Sequence, residues 1–104
     1  MSVEVDVEPR PPTAVESTAY FIVAEALTNL AKHSAADTAR VSVRRNGNSV
    51  TVQISDNGHG GAELRPGGGL AGLADRAATI DGVMTVFSPP GGPTVVTAEL
   101  PCEW

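Results

Sequence analysis

Aromatic residues make up only 4% of the 104-residue chain, so a core has to be built from Val, Leu, Ile and Ala. The single cysteine, Cys102, cannot form an intrachain disulfide, which fits a reducing compartment. No apolar run approaches the roughly 20 residues needed to cross a bilayer. No charged-then-apolar segment at the start reads as a signal peptide. Basic residues are few: the formal net charge is −5 and the pI about 4.8. That argues against a broad nucleic-acid surface, which needs a basic face. A single nucleotide is still allowed, because it needs only local donors and a metal.

What is present is regular alternation, two helical stretches and dense glycine. Residues 3–8, VEVDVE, place Val3, Val5 and Val7 on one face and Glu4, Asp6 and Glu8 on the other, the pattern of a half-buried strand. Arg10-Pro11-Pro12 breaks it. Thr13 then precedes Glu16 at capping-box spacing, so a helix is expected over about 14–33. Its apolar stripe is Val15, Ala19, Ile22, Val23, Ala26, Leu27 and Leu30. Strands are expected over 40–45, with Val41 and Val43 inward, and over 50–54, with Val50, Val52 and Ile54 inward. Asn46-Gly47 joins them as a hairpin. A second helix is expected over about 70–80, ended by Asp81-Gly82. Strands over 84–88 and 94–100 flank a turn at Pro89-Pro90-Gly91-Gly92-Pro93. The order β, α, β, β, glycine loop, α, β, β contains two adjacent hairpins. It excludes a doubly wound parallel sheet and predicts a mixed sheet with its helices on one face.

Three polar constellations stand out. Glu25, Asn29, Lys32 and His33 share one side of the first helix, away from the main apolar stripe. A carboxylate and an amide four apart can hold hydrated Mg²⁺ beside a phosphate, and lysine can reach phosphate as a point charge. Taken alone, an ordinary polar helix face explains them better. Asp56-Asn57-Gly58 follows a strand. An aspartate there can accept a hydrogen bond from an exocyclic amine, or simply cap a turn. The glycines of residues 67–72 enter the second helix, where backbone N–H groups and the helix dipole favour an anion. A flexible surface loop is the plain alternative. Gly67, Gly69 and Gly72 match G-x-G-x-x-G, but a loop precedes them and a hairpin follows, so no dinucleotide-binding βαβ unit surrounds them. No Gly-Lys-Ser/Thr is present, which excludes a Walker A loop.

Together, EALTNLAKH (residues 25–33), DNGHG (56–60) and GGGLAGLADR (67–76) resemble the N, G1 and G2 boxes of the GHKL ATPase superfamily. The N box is most similar to that of sensor histidine kinases of the nitrate-sensor-like, short-lid class. GGPTVVTAELP (91–101) is similar to the closing strand, so the resemblance covers nearly the whole chain. It implies a Bergerat fold, an α+β two-layer sandwich whose mixed, mostly antiparallel sheet carries its helices on one face. It also implies one catalytic and ATP-binding domain spanning 1–104, excised from a larger sensor kinase that is either membrane-anchored or soluble. By the same resemblance Asp56 bonds the adenine amino group, Gly58 and Gly60 shape the adenine pocket, and Thr94 helps fix an adenine-bound water. Asn29 holds Mg²⁺. Lys32 and His33 lie on the phosphate side. Gly67, Gly68, Gly69, Leu70 and Gly72 border the phosphates. Glu25 is the catalytic carboxylate, either a general base or, the reading preferred here, a residue that orients the metal shell.

The lid implied by the resemblance, residues 61–66, is short, and Arg65 is its one cation. Few apolar anchors lie in 60–69, so a mobile lid is expected without ligand. His33 and His59 are the only histidines, and neither lies on a dimerisation helix. The implied activity is therefore transfer of the γ-phosphoryl of ATP to a histidine on a separate dimerisation domain, and from there to a response regulator. Autophosphorylation of this chain alone is not expected. The partners are ATP, that domain and the regulator, with no nucleic acid and no direct membrane contact, in the cytoplasm. Two alternatives share these residues: a standalone serine kinase of the anti-sigma-factor type, and a non-catalytic interaction domain.

Overall fold

The computed structural model describes residues 2–8, 10–33, 38–58 and 69–102, excepting the side chains of 29–33, 69 and 70. The elements are β1 (Ser2–Asp6), α1 (Thr13–His33), β2 (Ala39–Asn46), β3 (Ser49–Asp56), α2 (Gly69–Ala78), β4 (Val83–Phe87) and β5 (Thr94–Pro101). They form one five-stranded sheet in the order β1-β2-β3-β5-β4. Only β1 and β2 pair in parallel; the other neighbours are antiparallel. The expected mixed sheet with helices on one face is what forms. Helix α1 lies over β3 and β5, α2 lies over β4 and β5, and the two helices touch each other.

Alternation along the strands selects the inner face. On β3, Val50, Val52 and Ile54 are at most 1% exposed. Their register partners on β5, Leu100, Ala98 and Val96, are buried with them. Val15, Ala19, Ile22 and Ala26 close over this floor from α1, and Leu73 and Ala77 from α2. Val23 and Leu27 pack at the margin of the core, and the Leu30 side chain lies outside the described residues. Among the described residues no helix is long and apolar enough to cross a membrane.

Local details depart from the sequence pattern in four places. Strand β1 is not half-buried: all five of its residues are exposed, because the helices sit over β3, β4 and β5 and leave it to one side. The β2–β3 loop is Gly47-Asn48, one residue later than Asn46-Gly47. Gly47 has φ 61° in the first central position, where a type II′ turn needs glycine. At the α1 start, Glu16 does not reach back as a capping box would. Its carboxylate takes the Arg10 guanidinium at 2.7 and 3.1 Å, which holds that guanidinium protonated still more firmly than usual. Helix α2 ends at Ala78, earlier than expected, and Asp81, not Gly82, adopts the left-handed φ of 61° that ends it. Gly82 is required for a different reason. A Cβ there would lie 2.7 Å from Leu100 Cδ2 and 2.9 Å from the Ala77 carbonyl oxygen.

Candidate functional site

The inner face of the sheet changes character at one end. Asp56 closes β3 and Thr94 opens β5, and the two are register partners. They are 6% and 7% exposed. The Gly58 N–H donates to Asp56 Oδ1 at 2.6 Å, which bends the chain sharply after the strand. Asn57 fixes this turn to the start of β2. Its side-chain oxygen accepts from the Thr38 N–H at 3.0 Å, and its own N–H donates to the Thr38 carbonyl at 3.3 Å. On the neighbouring strand end the Thr94 and Ser88 hydroxyls share a 2.6 Å hydrogen bond. The turn over residues 89–93 folds Ser88 back beside Thr94, and this turn contains the cis Gly92-Pro93 peptide. Neither Thr38 nor Ser88 was expected from sequence. Nothing local marks them, since their partners are set by strand register and by a proline-glycine turn.

Each helix has one terminus toward this end. Arg45 donates to the Arg10 carbonyl at 3.3 Å, tying the approach to α1 to the far end of β2. Helix α1 therefore runs along β3 toward Asp56. Four residues separate its end at His33 from Thr38, a span of at most about 18 Å. Glu25 lies exposed on this half of α1. Asn29, Lys32 and His33 follow on the same helix, their side chains outside the described residues. Helix α2 runs opposite to α1 and in the same direction as β5. Its last turn meets Leu100 and Glu99 through Gly82, so its first residues, Gly69 and Leu70, lie toward the Thr94 end.

The first turn of α2 carries no acidic residue, so none of its own side chains offsets its positive end. Gly72 is exposed, and a Cβ added to it would meet nothing within 4 Å. Packing among the described residues does not demand glycine there. Arg76 crosses from α2 to α1 and stacks on the Phe21 ring, 4.5 Å from its centroid, fastening the two helices together. His59, Gly60, the six lid residues 61–66, Gly67 and Gly68 lie outside the described residues. The structure thus brings Asp56, Gly58 and Thr94 to one sheet end and directs Glu25 and the start of α2 toward it.

Chemically, this end offers a buried acceptor, a hydroxyl pair, an exposed carboxylate and a helix dipole. Among the described residues no three His, Cys, Asp or Glu side chains gather as a metal cage. Oxygen donors such as Glu25 and Asn29 suit a hard ion that keeps most of its water, the habit of Mg²⁺.

A family model described as "Histidine kinase-, DNA gyrase B-, and HSP90-like ATPase" matches residues 14–103. The oxygen sensor histidine kinase NreB of Staphylococcus carnosus is 34% identical over 91 residues, covering 84% of this chain and 26% of NreB. The histidine-protein kinase/phosphatase DegS of Brevibacillus brevis is 32% identical over 93 residues, covering 86% of this chain and 24% of DegS. The chain therefore spans about a quarter of the length of these relatives. Among solved structures, the ATP binding domain of PrrB from Mycobacterium tuberculosis superposes with a TM-score of 0.75 at 25% identity, covering all of this chain and 82% of that one.

Proposed function

The chain belongs to the family of histidine kinase-, DNA gyrase B- and HSP90-like ATPases, and we propose that it is the catalytic, ATP-binding domain of a cytoplasmic sensor-kinase segment. The whole of 1–104 is read as that one domain of a larger polypeptide. The carrying observation is the pair of buried polar register partners, Asp56 and Thr94, at the sheet end that α1 approaches and from which α2 departs.

Asp56 accepts from the adenine amino group, and its 2.6 Å bond from Gly58 N–H holds the carboxylate in place. Gly58 and Gly60 let the ring lie against backbone. Thr94 positions a water on the adenine, with Ser88 fixing the Thr94 hydroxyl. At the other end of the nucleotide, the α2 N-terminus and Gly67, Gly68, Gly69, Leu70 and Gly72 face the phosphates. Lys32 and His33 approach them from α1. Asn29 and Glu25 would hold Mg²⁺, which offsets phosphate charge when bound. Glu25 orients that shell.

The γ-phosphoryl then passes to a histidine of a separate dimerisation domain. The bond to the leaving ADP oxygen breaks, a nitrogen–phosphorus bond forms, and the imidazole proton goes to a nearby base or solvent. A response regulator receives the group in turn. The serine-kinase and non-catalytic alternatives are not favoured, since NreB and DegS are both named as histidine kinases.

The test is transfer in trans. Labelled Mg-ATP, this chain and a histidine-bearing dimerisation domain should yield acid-labile phosphohistidine, and this chain alone should yield none. Acid-stable phosphoserine on a partner, or no Mg-dependent ATP binding, would refute the reading.

A further inference from the structure

At the site end of the β2–β3 ladder the last strand pair is Ala39 with Asp56. The next pair in the same register is Thr38 with Asn57, and only half of it is main chain. In a regular hydrogen-bonded antiparallel pair the two residues exchange both N–H···O bonds. Here the Asn57 N–H donates to the Thr38 carbonyl at 3.3 Å, but the Thr38 N–H donates to Asn57 Oδ1 at 3.0 Å. The side-chain oxygen takes the place of the Asn57 carbonyl. The turn explains the exchange: the Gly58 N–H bond to Asp56 Oδ1 at 2.6 Å bends the backbone out of the ladder at this position. The chain turns into the site, and β2 stays clasped one residue further.

The clasp holds the other side of the site. Thr38 is the first described residue after α1, with four residues between it and His33. Among the described side chains, the last of α1 in the core is Ala26, and Leu27 packs at its margin. Residues 28–33 extend the helix beyond that contact, and they carry Asn29, Lys32 and His33. Asp56 has separate supports, the Gly58 N–H and the β5 ladder that pairs it with Thr94.

We propose that Asn57 is a positioning residue: its side chain fixes the start of β2, and through it the end of α1, relative to the Asp56 acceptor. This rests on the reading of this sheet end as an ATP site. The clasp acts on the Mg-phosphate end of the nucleotide, although Asn57 adjoins the residue that contacts the base. The role needs an acceptor at the reach of Asn or Asp. Alanine leaves the Thr38 N–H to water and the strand start free to fray.

Titrations of this chain with a non-hydrolysable Mg-ATP analogue and with adenosine test the role. Asn57→Ala should weaken the analogue about three- to tenfold, the worth of one neutral hydrogen bond, and adenosine by less than about twofold. Asn57→Asp keeps the acceptor oxygen. It should hold the analogue within about twofold of wild type, its added charge being screened over the length of the nucleotide at about 0.15 M salt. Thr38→Ala keeps both backbone groups and should change neither affinity. Equal losses for the two ligands, no loss for either, or an Asn57→Asp loss as large as that of Asn57→Ala overturns the proposal. The wild-type chain supplies a measurement that needs no variant. Coupling is reciprocal, so the Mg-ATP analogue should slow exchange of the Thr38 amide about three- to tenfold more than saturating adenosine does. Equal protection also overturns the proposal. Wild-type binding with equal losses removes the positioning role alone, whereas a wild-type chain that binds neither ligand removes the ATP reading.

Discussion

Asp56→Asn separates a nucleotide contact from a mere turn cap. In the wild-type chain Oδ1 accepts the Gly58 N–H at 2.6 Å, and the side chain is buried. Asparagine keeps an oxygen of the same reach, so the turn can retain that bond, and Asn57 still ties the turn to Thr38 at 3.0 Å. What changes is the second position of the head group. A carboxylate oxygen becomes an NH₂ donor, which would face the donor NH₂ of adenine. The charge-assisted hydrogen bond is lost, worth roughly 1.5–3 kcal/mol. At 1.4 kcal/mol per tenfold, ATP-analogue affinity should fall roughly 10- to 150-fold. Calorimetric titration measures the affinity, and thermal unfolding checks that the fold is intact. The expected result is weak binding by a variant that still melts cooperatively near the wild-type temperature. Unchanged affinity would refute the adenine assignment and leave Asp56 as a turn residue.

Gly82→Ala should destabilise the domain by about 1–3 kcal/mol by overpacking, because its Cβ would meet Leu100 at 2.7 Å and a rigid carbonyl at 2.9 Å; a melting temperature at or above wild type contradicts this. Ile22→Ala removes a side chain that is 0% exposed at the centre of the α1–sheet contact and should cost about 2–5 kcal/mol, read by urea unfolding. Asn29→Ala should weaken binding of Mg-ATP more than of metal-free ATP, and equal losses would count against a metal role. Arg76→Ala should cost about 0.5–1 kcal/mol through loss of the exposed stack on Phe21; a double-mutant cycle with Phe21→Leu should show coupling, and additivity would argue against it.

The alternating pattern made most of the sheet legible, and it failed instructively at β1. VEVDVE alternates as cleanly as the inward residues of β3, yet Val3 and Val5 are exposed while Val50 and Val52 are buried. Alternation reports that a strand has an apolar face; it does not report whether this chain supplies a cover. Glycine was legible as a helix stop but for the wrong cause. The backbone angle falls on Asp81, while Gly82 is demanded by Leu100, a contact 18 positions away that only the β5 register creates. Likewise Thr13 and Glu16 have capping-box spacing, but the turn at Pro11-Pro12 brings Arg10 within 2.7 Å and captures the carboxylate. Asp56 and Thr94 were named as a pair only through family resemblance, because no local pattern connects positions so far apart in sequence. The hydroxyl of Ser88 and the backbone of Thr38, which hold them, carried no signal at all.

The register itself gives an independent reason to place function at that end. Along the β3–β5 ladder the inner pairs are Val50 with Leu100, Val52 with Ala98, and Ile54 with Val96, all buried and apolar. The next inner pair is Asp56 with Thr94, still buried but polar. Among the described residues Thr18 is the only other buried polar side chain, and its hydroxyl is absorbed by its own helix, donating to the Ala14 carbonyl at 2.8 Å. Burying a carboxylate costs far more than burying a valine, so stability alone would continue the apolar ladder by one more pair. Local rules are broken where a site has to be built. Here the break coincides with the sheet end that α1 approaches and from which α2 departs. Three elements distant in sequence therefore deliver a buried acceptor, a hydroxyl and a helix N-terminus to one place, the set that one nucleotide requires at its two ends.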